Sequence, residues 1–359
     1  MGAYDFGPNH PLRPDRLVHA VELLRLCGVW DGPATILDPG AGDEADILRV
    51  HDAAYLNAVR DFGDGTDCSK SHLSAFGFGP GDNPAFPNMH EASMAYVAGT
   101  AEAARSVVGG APLAFGLGGG LHHAHRARAS GFCIYDDPAI ACSILRDHFS
   151  RVAYIDIDVH HGDGVQFLFY DDPTVLTCSI HEDPRTLFPG TGSVDETGVS
   201  YSAINVPVPA GATGDTWLFG FEHGLLPALQ RFQPEAIVLQ MGTDTHSSDP
   251  LAHLKVTVQE WIQAVETIRD LNTPIVALGG GGYNRQAVPR MWAAAVITLL
   301  GLEVPPTIPS KFAEVHGVEN FFDASLPGPR EAGIATMRET VEWLQKNHHP
   351  KIGLPRQGG

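Results

Sequence analysis

Apolar and polar positions along the chain fall into two rhythms. Near the start, Pro14 can take a first helical position, Leu17, Val21 and Leu24 recur at helical spacing, and Gly28 follows as a stop. A second helix is expected over 91–108, rich in alanine and closed by Gly109-Gly110. Between them, Asp61 to Pro87 is dense in glycine, proline, aspartate and serine and reads as one long loop region. Loops of that length in compact domains usually carry function. The centre differs. Short apolar runs appear at 113–117, 152–159, 175–180, 237–241 and 275–278, with helix-like segments such as 138–145 and 258–271 between them. Buried strands alternating with helices predict an α/β architecture whose mostly parallel sheet is covered on both faces. After Leu302 the chain is proline-rich and then shows a helical pattern from Arg330 to Lys346. A single domain over 1–359 is simpler than two, with its core at about 4–302 and 303–359 as an extension packed on it.

Composition narrows the class. Hydrophobic residues make up 43% of the chain, enough for a large core, and no run approaches the ~18 apolar residues of a membrane span. The 42 acidic and 23 basic side chains leave a net charge of -19, which repels a phosphate backbone and suits a cationic substrate or a basic protein tail. No nucleic-acid or membrane partner is expected. The segment 1–13 lacks a basic-then-apolar signal pattern, so the expected location is the cytoplasm. The five cysteines include no C-x-x-C pair, a reduced pattern, and Cys133, Cys142 and Cys178 in apolar stretches read as core filler.

Each central apolar run ends in a polar or glycine-rich cluster: Gly118-Gly119-Gly120-Leu121-His122-His123; Asp156, Asp158, His160, His161 and Asp163; Ser179 and His181; Gly242-Thr243-Asp244-Thr245-His246; and Gly279 to Tyr283. In an open parallel sheet the carboxyl ends of the strands share one edge, where ligands bind, so these clusters predict one assembled site. Along 154–160, side chains of period two put Asp156, Asp158 and His160 on one face and Ile155, Ile157 and Val159 on the other. Three ionisable groups on one strand face are costly to bury without a cation. Asp244 from a neighbouring strand end completes a set of two carboxylates and one imidazole with open positions for water and substrate. An ordinary charged strand end is the plainer alternative.

The pair His122-His123 can act as a base and an electrostatic partner if each ring is oriented by a second group, for which Asp156 and Asp163 are available. Surface coincidence is the other reading of two adjacent histidines. Tyr283 can offer a phenol to a developing oxyanion, or can simply anchor its loop. His51, His90, His148 and His223 have no paired partner and read as structural or exposed, while His161 and His181 stay open. The glycines do not form a phosphate loop, since Leu121 stands where G-x-G-x-x-G needs glycine and G-K-[ST] is absent. There is no H-E-x-x-H and no G-x-S-x-G.

The joint set resembles the zinc-dependent histone deacetylase family, in particular its bacterial branch of acetoin-utilisation proteins. It comprises Gly-Gly-Leu-His-His-Ala at 119–124, Gly131-Phe132-Cys133, Asp156-x-Asp158-x-His160-His161-Gly162-Asp163-Gly164, Phe188-Pro189-Gly190, Gly242-Thr243-Asp244-Thr245 and Gly279 to Tyr283. His10-Pro11-x-Arg13-Pro14-x-Arg16 and Val50-His51-Asp52 fit as well. The resemblance implies a three-layer arginase/deacetylase fold with a central parallel sheet of about eight strands. It implies Asp158, His160 and Asp244 as ligands of one zinc ion, with Fe(II) as an alternative occupant in the cell. It gives His123 as general base and acid oriented by Asp163, His122 oriented by Asp156, and Tyr283 as the carbonyl-polarising group. Phe132 and Phe188 resemble the walls of an acyl-lysine tunnel, Gly131 its backbone acceptor and Asp82 a rim residue gripping the substrate backbone. Asp156, Asp158, His160, Ser179 and Ile180 resemble a structural potassium site.

Leu121 stands where many eukaryotic members have tryptophan, and Leu251 where polyamine-selective relatives carry glutamate. The expected activity is therefore metal-dependent hydrolysis of acetyl or other acyl groups from lysine side chains of proteins or peptides. An acetylpolyamine amidohydrolase is the alternative. A ureohydrolase of the same fold lacks support because its D-A-H-x-D signature is missing, and a non-catalytic acyl-lysine reader is disfavoured because every site residue is present. The oligomeric state is left open.

Overall fold

The computed structural model describes residues 3–32, 34–324 and 332–353. Six strands form one sheet: β1 Leu113–Gly116, β2 Val152–Asp156, β3 Val175–Glu182, β4 Ala203–Val208, β5 Ala236–Gln240 and β6 Ile275–Leu278. All pairings are parallel, in the order β1-β6-β5-β2-β3-β4. The expected parallel α/β sheet is therefore present, but with six strands among the described residues rather than about eight. Two further parallel contacts, Thr213 with Lys255 and His246 with Val256, are isolated bridges, too short to add a strand.

Period-two alternation sorts the strand side chains between two cores. Ala153, Ile155, Leu176, Cys178, Ile237 and Leu239 pack on one face, with the helices Asp15–Leu26, Val258–Arg269 and Ala287–Leu299. Val152, Tyr154, Val175, Val238, Val276 and Leu278 pack on the other, with Met89–Val108 and Asp137–Arg146. The handedness rule explains this division. The crossovers β1 to β2 and β2 to β3 run one way across the sheet and those from β4 to β5 and β5 to β6 run the other, so right-handed connections put their helices on opposite faces.

The helical periodicities hold within a few residues: Asp15–Leu26 after Pro14, Met89–Val108, Asp137–Arg146 and Val258–Arg269. The expected loop over 61–87 contains a short helix, Lys70–Ala75, capped by the Ser69 hydroxyl accepting from His72 N. The C-terminal helix runs Ile334–Asn347, and Arg330 lies outside the described residues. β4 has no counterpart among the expected strands because Pro207 interrupts its apolar run. A proline fits there because β4 is an edge strand.

The two sheet edges differ. At β4, the Ile334–Asn347 helix buries Met337, Val341 and Leu344, and Nε2 of His348 donates to the Ala203 carbonyl at 2.7 Å. At β1, Leu113, Ala114 and Phe115 are only half-buried.

Ile155 is fully buried on β2, flanked by β3 and β5. Ile155→Ala should lower unfolding free energy by about 2–5 kcal/mol, read from the urea midpoint at constant slope. A loss below about 1 kcal/mol would show that β2 is not the packed centre of the sheet.

Candidate active site

β2 and β5 are neighbours whose outgoing connections turn in opposite directions, which makes the gap beyond their carboxyl ends the topological switch point of the sheet. Regular pairing of β2 stops at Asp156, and the Ile157 N–H still reaches the Gln240 carbonyl at 3.2 Å. The chain then turns so that Asp158 and His160 meet Asp244, which follows β5. Their ligand atoms all lie within 4.8 Å of one another and all three residues are buried. Nδ1 of His160 stands 3.1 Å from Oδ1 of Asp158 and 3.2 Å from Oδ2 of Asp244.

The surrounding groups hold the carboxylates in place. Oδ2 of Asp158 accepts from the Gln240 amide and the Gly281 N–H, both at 2.8 Å, and its Oδ1 accepts from the His160 N–H at 3.0 Å. Oδ1 of Asp244 accepts from the Val159 N–H at 2.9 Å, whereas its buried Oδ2 makes no hydrogen bond and has the His160 ring beside it at 3.2 Å. Burial opposes the charge of Asp158, but His122 and His160 hold it well below the usual carboxylate range. Burial and the charge of Asp158 push Asp244 up to about 7. Two buried carboxylates, one of them orphaned and reluctant to ionise beside the other, are the donor set of a cation site. Two oxygens and an imidazole suit a divalent transition metal. A Cβ at Gly281 would lie 2.1 Å from that orphaned oxygen, so only glycine lets the backbone pass this close.

The two histidines sit beside this cluster. Nδ1 of His122 donates to Oδ2 of Asp156 at 2.7 Å, and Nδ1 of His123 donates to Oδ1 of Asp163 at 2.6 Å. With both Nδ1 atoms engaged, the Nε2 atoms face each other at 3.0 Å. Burial opposes protonation of both rings. At His122 the charges of Asp156 and Asp158 outweigh it and raise the pKa to about 9. At His123 burial, reinforced by charged His122, lowers it to about 4 despite Asp163. Near neutrality a charged His122 therefore stands beside a neutral His123.

Tyr283 is held by its own N–H, which donates to Oδ2 of Asp249 at 2.8 Å, and burial keeps its phenol protonated far above the ordinary range. A narrow cavity of about 10 Å³ is lined by Leu121, His122, His123, Gly131, Phe132 and Tyr283 together with Asp158 and His160. Phe132 stacks edge-on to Tyr283 with ring centres 5.8 Å apart. Phe188, partly exposed, stands edge-on to His123 at 5.0 Å. Gly131 has φ of 48°, and a Cβ there would meet the His123 ring at 2.5 Å.

Asp82 and Leu251 do not line this cavity. Asp82 is exposed; its carbonyl accepts from Nε2 of His10, whose ring packs on Phe132. Leu251 is 36% exposed and donates its N–H to the same Asp249 that holds Tyr283. Ser179 is paired in register with Asp156, and its hydroxyl bonds Nδ1 of His181; Ile180 is buried beside it.

Several residues of the site had no role legible in the sequence. Asp137 accepts from Thr100 Oγ1 at 2.6 Å and from the Gly120 and Leu121 N–H groups at 2.9 Å, which fixes the glycine turn before His122. Nη1 of buried Arg16 donates to the Gly280 and Gly282 carbonyls, 2.8 and 3.0 Å away. The Trp292 and Trp261 indoles donate to the Met241 and Gly242 carbonyls beneath the turn leading to Asp244. His51 is structural: its Nε2 accepts from the Asp136 N–H at 2.9 Å. His90 is tied to Tyr135 and Glu44, and His148 and His223 are exposed. His161 and His181 brace the 191–192 turn through Thr191 Oγ1 and the Gly192 carbonyl.

This arrangement is that of a metal-dependent hydrolase site, and comparison with known proteins gives its class. The histone deacetylase domain profile matches residues 10–299, and the chain belongs to that family. The acetoin utilization protein AcuC of Bacillus subtilis is 40% identical over 319 residues, covering 84% of this chain and 82% of that one. Histone deacetylase clr6 of Schizosaccharomyces pombe is 33% identical, covering 86% and 77%. The crystal structure of an HDAC homolog from Aquifex aeolicus superposes with a TM-score of 0.87 at 28% identity, covering 95% of this chain and 96% of that one. A second structure with the same similarity is an HDAC homolog complexed with SAHA.

Asp137→Asn keeps the shape but removes acceptor capacity from beneath two buried N–H groups. It should cost about 1–3 kcal/mol in stability and lower kcat by loosening the turn before His122. Denaturation and steady-state kinetics on one preparation check this, and unchanged values of both would remove Asp137 from the site's support.

Proposed function

We propose that this chain is a zinc-dependent lysine deacylase that hydrolyses the amide of acetyl- or other acyl-lysine side chains in proteins or peptides. The observation that carries the reading is the convergence of Asp158, His160 and Asp244 with His123 and Tyr283 at one strand-end cavity. Asp158, His160 and Asp244 would hold the zinc ion, with Fe(II) a chemically reasonable occupant of an oxygen-rich set. When bound, the ion supplies Lewis acidity toward an amide carbonyl and toward water. A structural potassium ion would draw on Asp156, Asp158, His160, Ser179 and Ile180, an oxygen-rich grouping made possible by the pairing of Asp156 with Ser179.

The protein's own groups then have distinct tasks. Neutral His123, its Nδ1–H held by Asp163, takes a proton from the attacking water at Nε2 and delivers it to the departing lysine amine as the C–N bond breaks. His122, charged and anchored by Asp156, stabilises negative charge developing beside it. Tyr283, kept protonated by burial, donates to the carbonyl oxygen as it becomes an oxyanion. Phe132 and Phe188 flank the aliphatic stem of the lysine, Gly131 offers its carbonyl, Leu121 bounds the acyl end, and Asp82 grips substrate backbone from the rim. Leu251 gives the mouth no carboxylate for a second ammonium, which favours acyl-lysine over acetylpolyamines.

The direct test is turnover of a panel of acyl-lysine peptides and acetylpolyamines, with elemental analysis of the same sample. One catalytic transition-metal ion per chain, chelator-sensitive activity and preference for a peptide are expected. Active protein without metal, or faster polyamine turnover, would falsify the assignment. Tyr283→Phe removes one oxyanion donor and should lower kcat about 10²–10³-fold with metal content unchanged. Near-normal turnover would reduce Tyr283 to a loop anchor.

A further inference from the structure

Asp136 is a fully buried titratable group with no part in the mechanism above. It precedes the helix Asp137–Arg146, and its Oδ1 accepts from the Ala139 N–H at 2.9 Å as an ordinary N-cap. Its Oδ2 is different. That oxygen is shielded from solvent and has no hydrogen-bond partner. A Cβ at Gly164 would lie 2.5 Å from it, 2.5 Å from the Ala124 carbonyl oxygen and 2.6 Å from the His122 carbonyl oxygen. Three oxygens therefore crowd around one glycine. The His122 carbonyl accepts from the Gly164 N–H at 3.0 Å, whereas the carbonyl of fully buried Ala124 has no hydrogen bond among the described residues. Two neighbouring buried oxygens, both acceptors and both unpaired, are a mismatch that native structures rarely keep. One proton on the carboxyl satisfies both.

We propose that Asp136 is a positioning residue that stays protonated, its Oδ2–H donating to the Ala124 carbonyl and so tying the His122-His123 segment to the turn that carries Asp163. Ala124 directly follows His123, and Gly164 directly follows Asp163. The tie therefore meets both pieces of chain that hold the 2.6 Å contact between His123 and Asp163. The groups facing Asp136 agree with a neutral carboxyl. Burial raises it well above the usual carboxylate range, and Asp137 and Asp163 add to this, against the Ala139 N–H and the charge of His122. Cys133, Cys142 and Tyr154 are kept neutral by burial. So is His51, whose Nε2 accepts from the Asp136 N–H, and none of the four supplies a compensating cation. The helix N-terminus still has its negative charge in Asp137, which burial raises only to about 6 because Thr100, Leu121 and Gly120 donate to it. The kinetic consequence of the tie rests on the deacylase reading; the protonation of Asp136 does not.

The first measurement is the infrared difference spectrum between the wild type and Asp136→Asn at neutral pH. It should contain the C=O stretch of a protonated carboxylic acid, contributed by the wild type alone. A carboxylate band in its place, from a charged Asp136 bridged to Ala124 by water or a cation, overturns the proposal. Two variants then separate the tie from the helix cap. Asp136→Asn keeps a cap acceptor and a neutral donor, and should turn over an acyl-lysine peptide at close to the wild-type kcat. Asp136→Ser keeps a cap acceptor but is too short to reach Ala124 as well. It should lower kcat about tenfold to a hundredfold with KM little changed, because the His123–Asp163 pair is displaced. The amides of residues 122–125 should exchange with deuterium faster in Asp136→Ser than in Asp136→Asn, a readout that needs no substrate. If Asp136→Ser does not fold, the infrared band and the activity of Asp136→Asn decide the matter. Equal activity and exchange in the two variants, or an Asn variant as impaired as the Ser variant, overturns the tie. A wild type inactive on every acyl-lysine peptide defeats the deacylase reading instead, while the band and the exchange rates still test Asp136.

Discussion

Asp158 and Asp244 are two carboxylates held side by side and buried from solvent, and the architecture around them answers that electrostatic demand. Their nearest cationic neighbour is the His160 ring, and the remaining stabilisation comes from directed dipoles: the Gln240 amide and the N–H groups of Val159, His160 and Gly281. Such an arrangement is affordable only where several backbone ends can point inward at once. The switch point between β2 and β5 supplies that place, since the strands end there and their connections leave in opposite directions. The charge balance reaches the histidines as well. His122 stays protonated because Asp156 and Asp158 face it, and its charge in turn keeps His123 neutral.

The floor of the site and its rim are built differently. Asp156 closes β2, and Asp158, His160 and Asp244 stand on the turns that leave β2 and β5, so their positions follow from strands buried on both faces. Phe132, Phe188, Asp82 and Leu251 stand on connecting segments, and Asp82, Phe188 and Leu251 are exposed. Chemistry resting on sheet ends and selectivity resting on loops is a division that lets the second vary without disturbing the first.

Much of this is legible in the sequence. Fully buried parallel strands read as short apolar runs, and the Asp-x-Asp-x-His spacing announces itself because strand side chains repeat every second residue. Polar clusters after successive runs then have to meet at one edge. What escaped detection is physically different in kind. β4 was hidden by Pro207, a residue that only an edge strand tolerates. The strand number rests on family resemblance alone, and the described residues form six. Arg16 stands in a motif of the resemblance, but its role does not show there because the carbonyl it reaches lies 264 residues away, and Asp137 acts on N–H groups whose need for an acceptor depends on how tightly the glycine turn is buried. Gln240 looked like the end of an apolar run, although its side chain bridges Asp158, the Gly120 carbonyl and the Gly242 N–H. Long-range partnership of this kind leaves no local periodicity.

The two indoles beneath the Asp244 turn have an optical consequence. Trp261 and Trp292 are fully buried, and each spends its N–H on a carbonyl of consecutive residues, Gly242 and Met241, just before Asp244. Indole emission is sensitive to the strength and direction of that hydrogen bond and to nearby charge. Any event that tightens or loosens the turn is therefore coupled to two chromophores shielded from solvent, alongside Trp217, which is buried in the same core without a bond to this turn. The protein carries a native spectroscopic reporter a few residues from its most charged point, and ligand occupancy there can be followed in the unlabelled chain by its near-ultraviolet signal.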